Sequence, residues 1–286
     1  MRTIIITGAN SGLGFETAKK IAKDKNYQVV LACRNMEKAE RAKEEIIKET
    51  GNENILFMEL DTSSLDSVRR FVDDFKKFDT KVYGLINNAG ISPMGHDGLS
   101  VDGVEIVMAT NYLGHFLLTN LLLPYMEENA KILNITSDMH NPPGEMEWKN
   151  PEELFHPTEN DRRKYSYSKL CSIYFTYELD ERLRKENSHI LVNAFNPGMM
   201  NTNFSGGHNS KARTAMVKLT MPDRLGDLDK SSTALSELMI HDEFQDTGKY
   251  YDRSTNFINS SDLSYNLENR KDLWNASVSI TGLEKD

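Results

Sequence analysis

Thr3-Ile4-Ile5-Ile6 runs directly into Thr7-Gly8-Ala9-Asn10-Ser11-Gly12-Leu13-Gly14, after which the sequence reads as helix. An apolar strand, a sharp glycine turn and a helix form the opening unit of a dinucleotide-binding fold. Gly8, Gly12 and Gly14 supply positions without Cβ where the backbone must turn and approach a pyrophosphate seated on the helix N-terminus. Asn10, Ser11 and Leu13 fill the same turn. Glycines at this density can also serve only as turn and cap residues.

Outward from that turn, short apolar strands alternate with helical patterns of about a dozen residues, as in βαβ units around a parallel sheet. Strands are read near 2–7, 27–33, 54–60, 82–87, 130–137, 189–195 and 247–251, and helices near 12–24, 36–50, 64–78, 101–128, 165–187, 228–241 and 264–277. Runs such as Val29-Val30-Leu31-Ala32 are apolar on both faces, as strands covered by helices on both sides must be. The fold class is α/β, a Rossmann-type doubly wound, mostly seven-stranded parallel sheet. A ligand crevice is expected at the carboxyl ends of its strands. Residues 1–286 read as one dinucleotide-binding domain, because no Pro/Gly-rich linker or repeat divides them. Two stretches break the rhythm, near 138–164 and 199–227, and are read as substrate lids over the crevice.

The 286 residues carry a formal charge of -9, which disfavours nucleic acid as a partner, since phosphates need a basic surface. No run of 18 apolar residues suggests a membrane span. The chain begins almost at once in a strand, so a cytoplasmic location is expected. Cys33 and Cys171 have neither disulfide density nor metal-ligand spacing, and the seven histidines form no ligand-like pair, so no metal is expected.

Cofactor choice is read about 20 residues beyond the glycine turn, where an acid would hold the ribose hydroxyls of NAD. Here stand Arg34 and Asn35, with Lys38 opening the next helix. A guanidinium without an acid beside it suits the phosphate of NADP(H), the cofactor expected. Far downstream, Tyr165 and Lys169 lie four residues apart in Tyr165-Ser166-Tyr167-Ser168-Lys169, on one face of a helix. A nearby cation favours tyrosinate and lowers a phenol pKa that starts near ~10, giving a proton donor and acceptor usable near neutrality. A Tyr and a Lys at this spacing also occur on ordinary surface helices.

The glycine turn, Asn87-Asn88-Ala89-Gly90, Asn111, Ser137, the Tyr165/Lys169 pair and Asn196-Pro197-Gly198 occur in order in one chain. This set resembles the short-chain dehydrogenase/reductase family, in its compact single-domain branch, from residue 1 to about residue 280. The resemblance implies Tyr165 as proton donor in reduction and base in oxidation. Ser137 would hydrogen-bond the substrate oxygen, with Thr136 as the fallback. Lys169 would bind the nicotinamide ribose and depress the Tyr165 pKa, and Asn111 would hold a water linked to the lysine. It also implies cofactor contacts for Asp61, Thr62, Asn88, Ala89, Gly90, Pro197, Gly198 and Thr202. Asp61 could equally cap the helix that follows, and Gly90 could simply allow a turn.

The gap from Ser137 to Tyr165 is 28 residues (165 minus 137), longer than the dozen or so of many members. The inserted stretch resembles the retinol dehydrogenase-like and protochlorophyllide reductase-like branches. So do Ala32-Cys33-Arg34-Asn35, Asn111-Tyr112-Leu113-Gly114-His115-Phe116 and Ser168-Lys169-Leu170. The substrate expected is an apolar ketone or secondary alcohol held by Ser137, Tyr165, Met199 and Phe204, with Phe155 and Trp148 lining the lids. His140 is read as a loop histidine facing solvent, with substrate contact as the alternative. Carbon–carbon double-bond reduction, and a redox-sensing NADP(H) binder without turnover, are the competing functions. Helices 111–128 and 165–187 carry apolar faces (Phe116, Leu117, Leu121; Ile173, Phe175, Leu179) that in the family often form a four-helix homodimer interface. They could instead only cover the sheet.

Overall fold

A computed structural model describes residues 1–159, 161–200, 219 and 224–284. Among these, eight strands form one sheet: β1 (Arg2–Thr7), β2 (Tyr27–Cys33), β3 (Ile55–Glu59), β4 (Val82–Asn87), β5 (Met126–Ile135), β6 (Leu191–Asn196), β7 (Tyr250–Asp252) and β8 (Phe257–Ile258). Their order is β3-β2-β1-β4-β5-β6-β7-β8. The first seven are parallel, so the sheet is doubly wound about β1 and β4, and the carboxyl ends of both strands face one crevice.

The central strands are largely apolar because both faces are covered. Ile4, Ile5 and Ile6 of β1 are all fully buried, at roughly 1.5–3 kcal/mol of burial each. On one face lie α1 (Gly12–Ala22), α2 (Met36–Thr50) and α7 (Leu228–Ile240). On the other lie α3 (Leu65–Phe75), α4 (106–122), α6 (Lys164–Lys185) and α8 (Leu267–Thr281), with the short α5 (Pro151–Phe155) at their edge. Helix α4 is composite: an α-turn Ile106–Met108, a π-turn Ala109–Leu113 and an α-helix Gly114–Leu122. The segment Ile106–Tyr125 is long and apolar enough to cross a membrane, but 78% of its apolar window is buried in the core.

Beyond the seven parallel strands, the sheet carries an eighth, antiparallel to β7, whose two residues are too few to show a periodic pattern. Two expectations are corrected. Helix 101–128 is shorter at both ends. Gly98 and Gly103 adopt left-handed φ before it, and Pro124 sits in a 3-10 turn, Leu123–Tyr125, that hands the chain to β5. Phe155 and Trp148 do not line a lid. Phe155 is buried and stacked on Tyr112, and Trp148 packs edge-on against Tyr174, so both bind the 138–164 insertion to the core.

Part of the apolar faces of α4 and α6, at Phe116 and Phe175, is covered by the chain's own α8. Trp274 packs 5.0 Å from the Phe116 ring and 6.1 Å from Phe175, under the Arg182 guanidinium. Buried Arg270 fastens α8 to Glu178 at 3.1 Å and also to Glu181.

Candidate active site

Side chains that could work on a ligand gather at the carboxyl ends of β1, β4, β5 and β6. Gly8 and Gly12 have φ of +66° and +59°, a backbone that side chains with Cβ rarely adopt. A Cβ on Gly14 would stand 2.5 Å from Asn88 Nδ2 and 2.9 Å from the Gly8 carbonyl, so α1 can start against the β4 loop only with glycine there. Thr7 ties the two loops together: its hydroxyl accepts the Asn88 and Ala89 N–H groups, each at 2.8 Å, and its carbonyl accepts Asn88 Nδ2 at 2.8 Å. The Asn88 side chain is thus committed to holding the sheet.

No side chain caps α1 at Ser11, whereas Asn35, Ser64 and Asp227 cap α2, α3 and α7. An eleven-residue helix that ends uncapped beside a glycine turn fits the pyrophosphate of a dinucleotide. At the end of β2, Arg34, Asn35 and Lys38 are all exposed, and Asn35 spends its side chain on the Lys38 N–H. Arg34 comes within 4.0 Å of Asp61 Oδ2, a surface pair too weak to immobilise it. Asp61 Oδ1 takes both the N–H and the hydroxyl of Ser63, which is the turn-capping role. Thr62 is buried against α4.

Tyr165 is half-buried on the first turn of α6 and Lys169 lies below it, with Nζ 5.6 Å from the centre of the phenol ring. Lys169 is 4% exposed and its ammonium donates to the Ile135 carbonyl at 3.0 Å, two residues before Ser137. Ser137 opens a 3-10 turn, Asp138–His140, accepts the Met139 N–H at 3.1 Å and donates to Asp138 Oδ1 at 3.2 Å. Asn111 sits in the π-turn of α4. Its Oδ1 accepts the Ile91 N–H, and its Nδ2 donates to the Ile91 carbonyl and to Ser168 Oγ. Asn111 therefore joins the loop after Asn88-Ala89-Gly90 to the turn of α6 that carries Lys169.

Burial pulls the Lys169 ammonium from its ordinary 10.5 down to about 8. Between those values the unfolded chain holds a proton at residue 169 that the folded chain lacks. Stability therefore falls as pH drops from about 10.5 to about 8, then levels off. In the dinucleotide-free protein, Lys169→Met should melt at a temperature that gains on wild type as pH falls through this window. Parallel melting curves from pH 10.5 to pH 8 would contradict the assignment.

At the end of β6, Gly198 has φ +73°, and a Cβ there would lie 2.7 Å from the Gly226 Cα. Met199 and Gly226 exchange backbone bonds with Arg224 and Met199, both 2.8 Å, so the 199–227 stretch leaves and returns at one point. Arg224 then reaches Asp138 at 3.8 Å, linking it to the other insertion. Thr202 and Phe204 lie outside the described residues. His140, read as solvent-facing, is buried: Nδ1 donates to the Ser137 carbonyl at 2.7 Å and Nε2 accepts the Ser261 N–H at 3.0 Å. Both ring nitrogens are therefore engaged within the protein. A cavity of about 250 Å³ opens on another face of α6, among Glu105, Met108, Leu154, Lys164 and Tyr167; Tyr165 and Ser137 are not on its wall.

Sequence reasoning missed Gly226, and it read the helix near 264–277 without placing it against α4 and α6. Gly226 is legible only through its contact with Gly198. Cys33 is buried under the glycine turn, where its thiol is pushed up to about 12 by burial, partly offset by the Ala9 and Asn10 amides.

The family model for short chain dehydrogenases matches residues 2–148. Human retinol dehydrogenase 13 is 34% identical over 99% of this chain and 85% of its own length. Human polyprenol dehydrogenase is 30% identical over 99% and 86%, and the short-chain dehydrogenase TIC 32 A of Brassica napus 31% over 97% and 88%. Among solved structures, an uncharacterized protein from Mycobacterium paratuberculosis superposes with a TM-score of 0.73 at 31% identity, covering 99% of this chain and 94% of its own. A variant of actinorhodin polyketide ketoreductase with NADPH shares the fold at 20% identity and a TM-score of 0.69, over 88% and 95%. The chain belongs to the short-chain dehydrogenase/reductase family, in its retinol dehydrogenase-like branch.

Proposed function

We propose that the chain is an NADP(H)-dependent oxidoreductase that transfers a hydride between nicotinamide and a ketone or secondary alcohol of an apolar small molecule. The observation that carries this reading is the buried Lys169 ammonium, fixed at the end of β5 beneath the half-buried phenol of Tyr165. The family works with nicotinamide cofactors, and the uncapped α1, the glycine turn and the adjacent β4 loop fit a dinucleotide. The chemistry a nicotinamide supplies when bound there is hydride donation or acceptance.

In reduction, negative charge grows on the carbonyl oxygen. Tyr165 Oη would give that oxygen its proton and Ser137 Oγ would donate a hydrogen bond to it. The phenolate left behind is stabilised by the Lys169 ammonium, which the Ile135 carbonyl holds in place. In oxidation the same phenolate takes the proton of the alcohol. Asn111 keeps this turn of α6 in register with the β4 loop through Ser168 and Ile91. Met199, at the neck of the 199–227 stretch, would meet the substrate; relatives named for retinol and polyprenol support an apolar one.

Loss of NADPH absorbance across a panel of apolar ketones and aldehydes, present in wild type and absent in Tyr165→Phe, tests the reading. Calorimetry finding no uptake of either pyridine nucleotide would overturn it. Cofactor choice rests on the exposed Arg34 and Lys38 at the end of β2. Replacing one charge-assisted contact by a repulsive one in Arg34→Asp should cut the preference for NADP(H) over NAD(H) by tenfold or more, on the order of one such bond. Binding curves for both nucleotides measure it, and an unchanged ratio would remove Arg34 from the site.

A further inference from the structure

His115 lies one helical turn beyond Asn111 on α4, is 4% exposed, and has no part in the chemistry above. Its bonding is decided by Thr7. The Thr7 hydroxyl already accepts two backbone N–H groups, so it has only its own proton left to place. The near acceptor is His115 Nε2 at 2.9 Å; the Ile86 carbonyl is at 3.5 Å. An accepting Nε2 leaves the ring proton on Nδ1, which faces the main-chain carbonyl of Asn111 at 3.3 Å. The ring stays neutral, since burial and the nearby Lys169 charge push its pKa down to about 4. A single imidazole thus spans from the glycine turn to the π-turn that holds Asn111, whose side chain in turn grips Ser168, next to Lys169.

We propose that His115 is a positioning residue of the reaction, locking the dinucleotide turn at Thr7 to the Asn111 backbone so that the cofactor loop and the seat of Lys169 are set together. The catalytic consequence rests on the oxidoreductase reading; the coupling does not. A ring of the same kind with neither bond, His115→Phe, should weaken NADP(H) binding and lower kcat by about tenfold each, the worth of one buried hydrogen bond, with KM for the carbonyl substrate within about twofold. His115→Asn keeps a donor at the Nδ1 position and should recover part of the kcat loss without restoring dinucleotide affinity.

Amide exchange at Asn88 and Ala89, the two donors to Thr7, is read on the same proteins and needs no substrate. It should accelerate about tenfold in His115→Phe relative to amides in the middle of β1. If the Phe variant fails to fold, His115→Leu, which likewise keeps neither bond, is measured in its place. A folded variant with wild-type exchange at residues 88 and 89, wild-type dinucleotide affinity and wild-type kcat would overturn the proposal. Wild type that binds no dinucleotide would sink the oxidoreductase reading instead, and exchange at Asn88 and Ala89 would still decide the coupling.

Discussion

Tyr165→Phe should fold, bind NADP(H) with wild-type affinity and lose about 10³-fold in kcat, within the range of a removed general acid. The expectation follows from what the substitution spares. The ring stays on the first turn of α6, and the Lys169 ammonium keeps both its place 5.6 Å from the ring centre and its bond to Ile135. What is lost is the proton that must reach the substrate oxygen. Ser137→Ala removes a donor to the same oxygen and should cost about 10²-fold, because the proton itself is still delivered. Thr136, the neighbouring hydroxyl, is buried. Single-turnover measurements with NADPH and an apolar ketone separate this loss from binding. A Phe variant within tenfold of wild-type kcat would mean that the proton comes from elsewhere, and the role assigned to Tyr165 would fall.

Much of this site was legible because its residues obey local rules. A strand, a glycine turn and an uncapped helix can be read within fourteen residues, since each step is a short-range constraint on φ or on side-chain patterning. The Tyr165/Lys169 face follows from helical periodicity alone. Residues whose role depends on a distant partner could not be read so directly. His140 looks like an exposed loop residue until Ser261, 121 positions away in sequence, is brought to its Nε2. The apolar faces of α4 and α6 give no sign that Trp274 of the C-terminal helix packs on Phe116 and Phe175. Sequence reading of Asn111-Tyr112-Leu113-Gly114-His115-Phe116 marked a resemblance but gave no reason for it. The reason is tertiary: the segment lies between Thr7, Thr62 and Ser168.

Gly114 in that segment should respond to alanine opposite to helix propensity. On an exposed helix, Gly→Ala gains about 1 kcal/mol. Here a Cβ would stand 2.8 Å from the Thr62 carbonyl carbon and closer still to its oxygen. Both neighbours are backbone, so neither can turn aside, and α4 or the loop after β3 must move by a good part of an ångström. Overpacking of this kind costs about 3 kcal/mol at the upper end of its usual range, more than the propensity gain. Gly114→Ala should therefore melt several degrees below wild type, at roughly 2–4 °C per kcal/mol for a chain of this size. The displaced loop carries Asp61 and Thr62, and the displaced helix carries Asn111 and His115, so dinucleotide affinity should fall together with stability. An alanine variant that melts at or above the wild-type temperature would show that the helix does not press on Thr62, and the tight seating of α4 that holds Asn111 toward Lys169 would have to be abandoned.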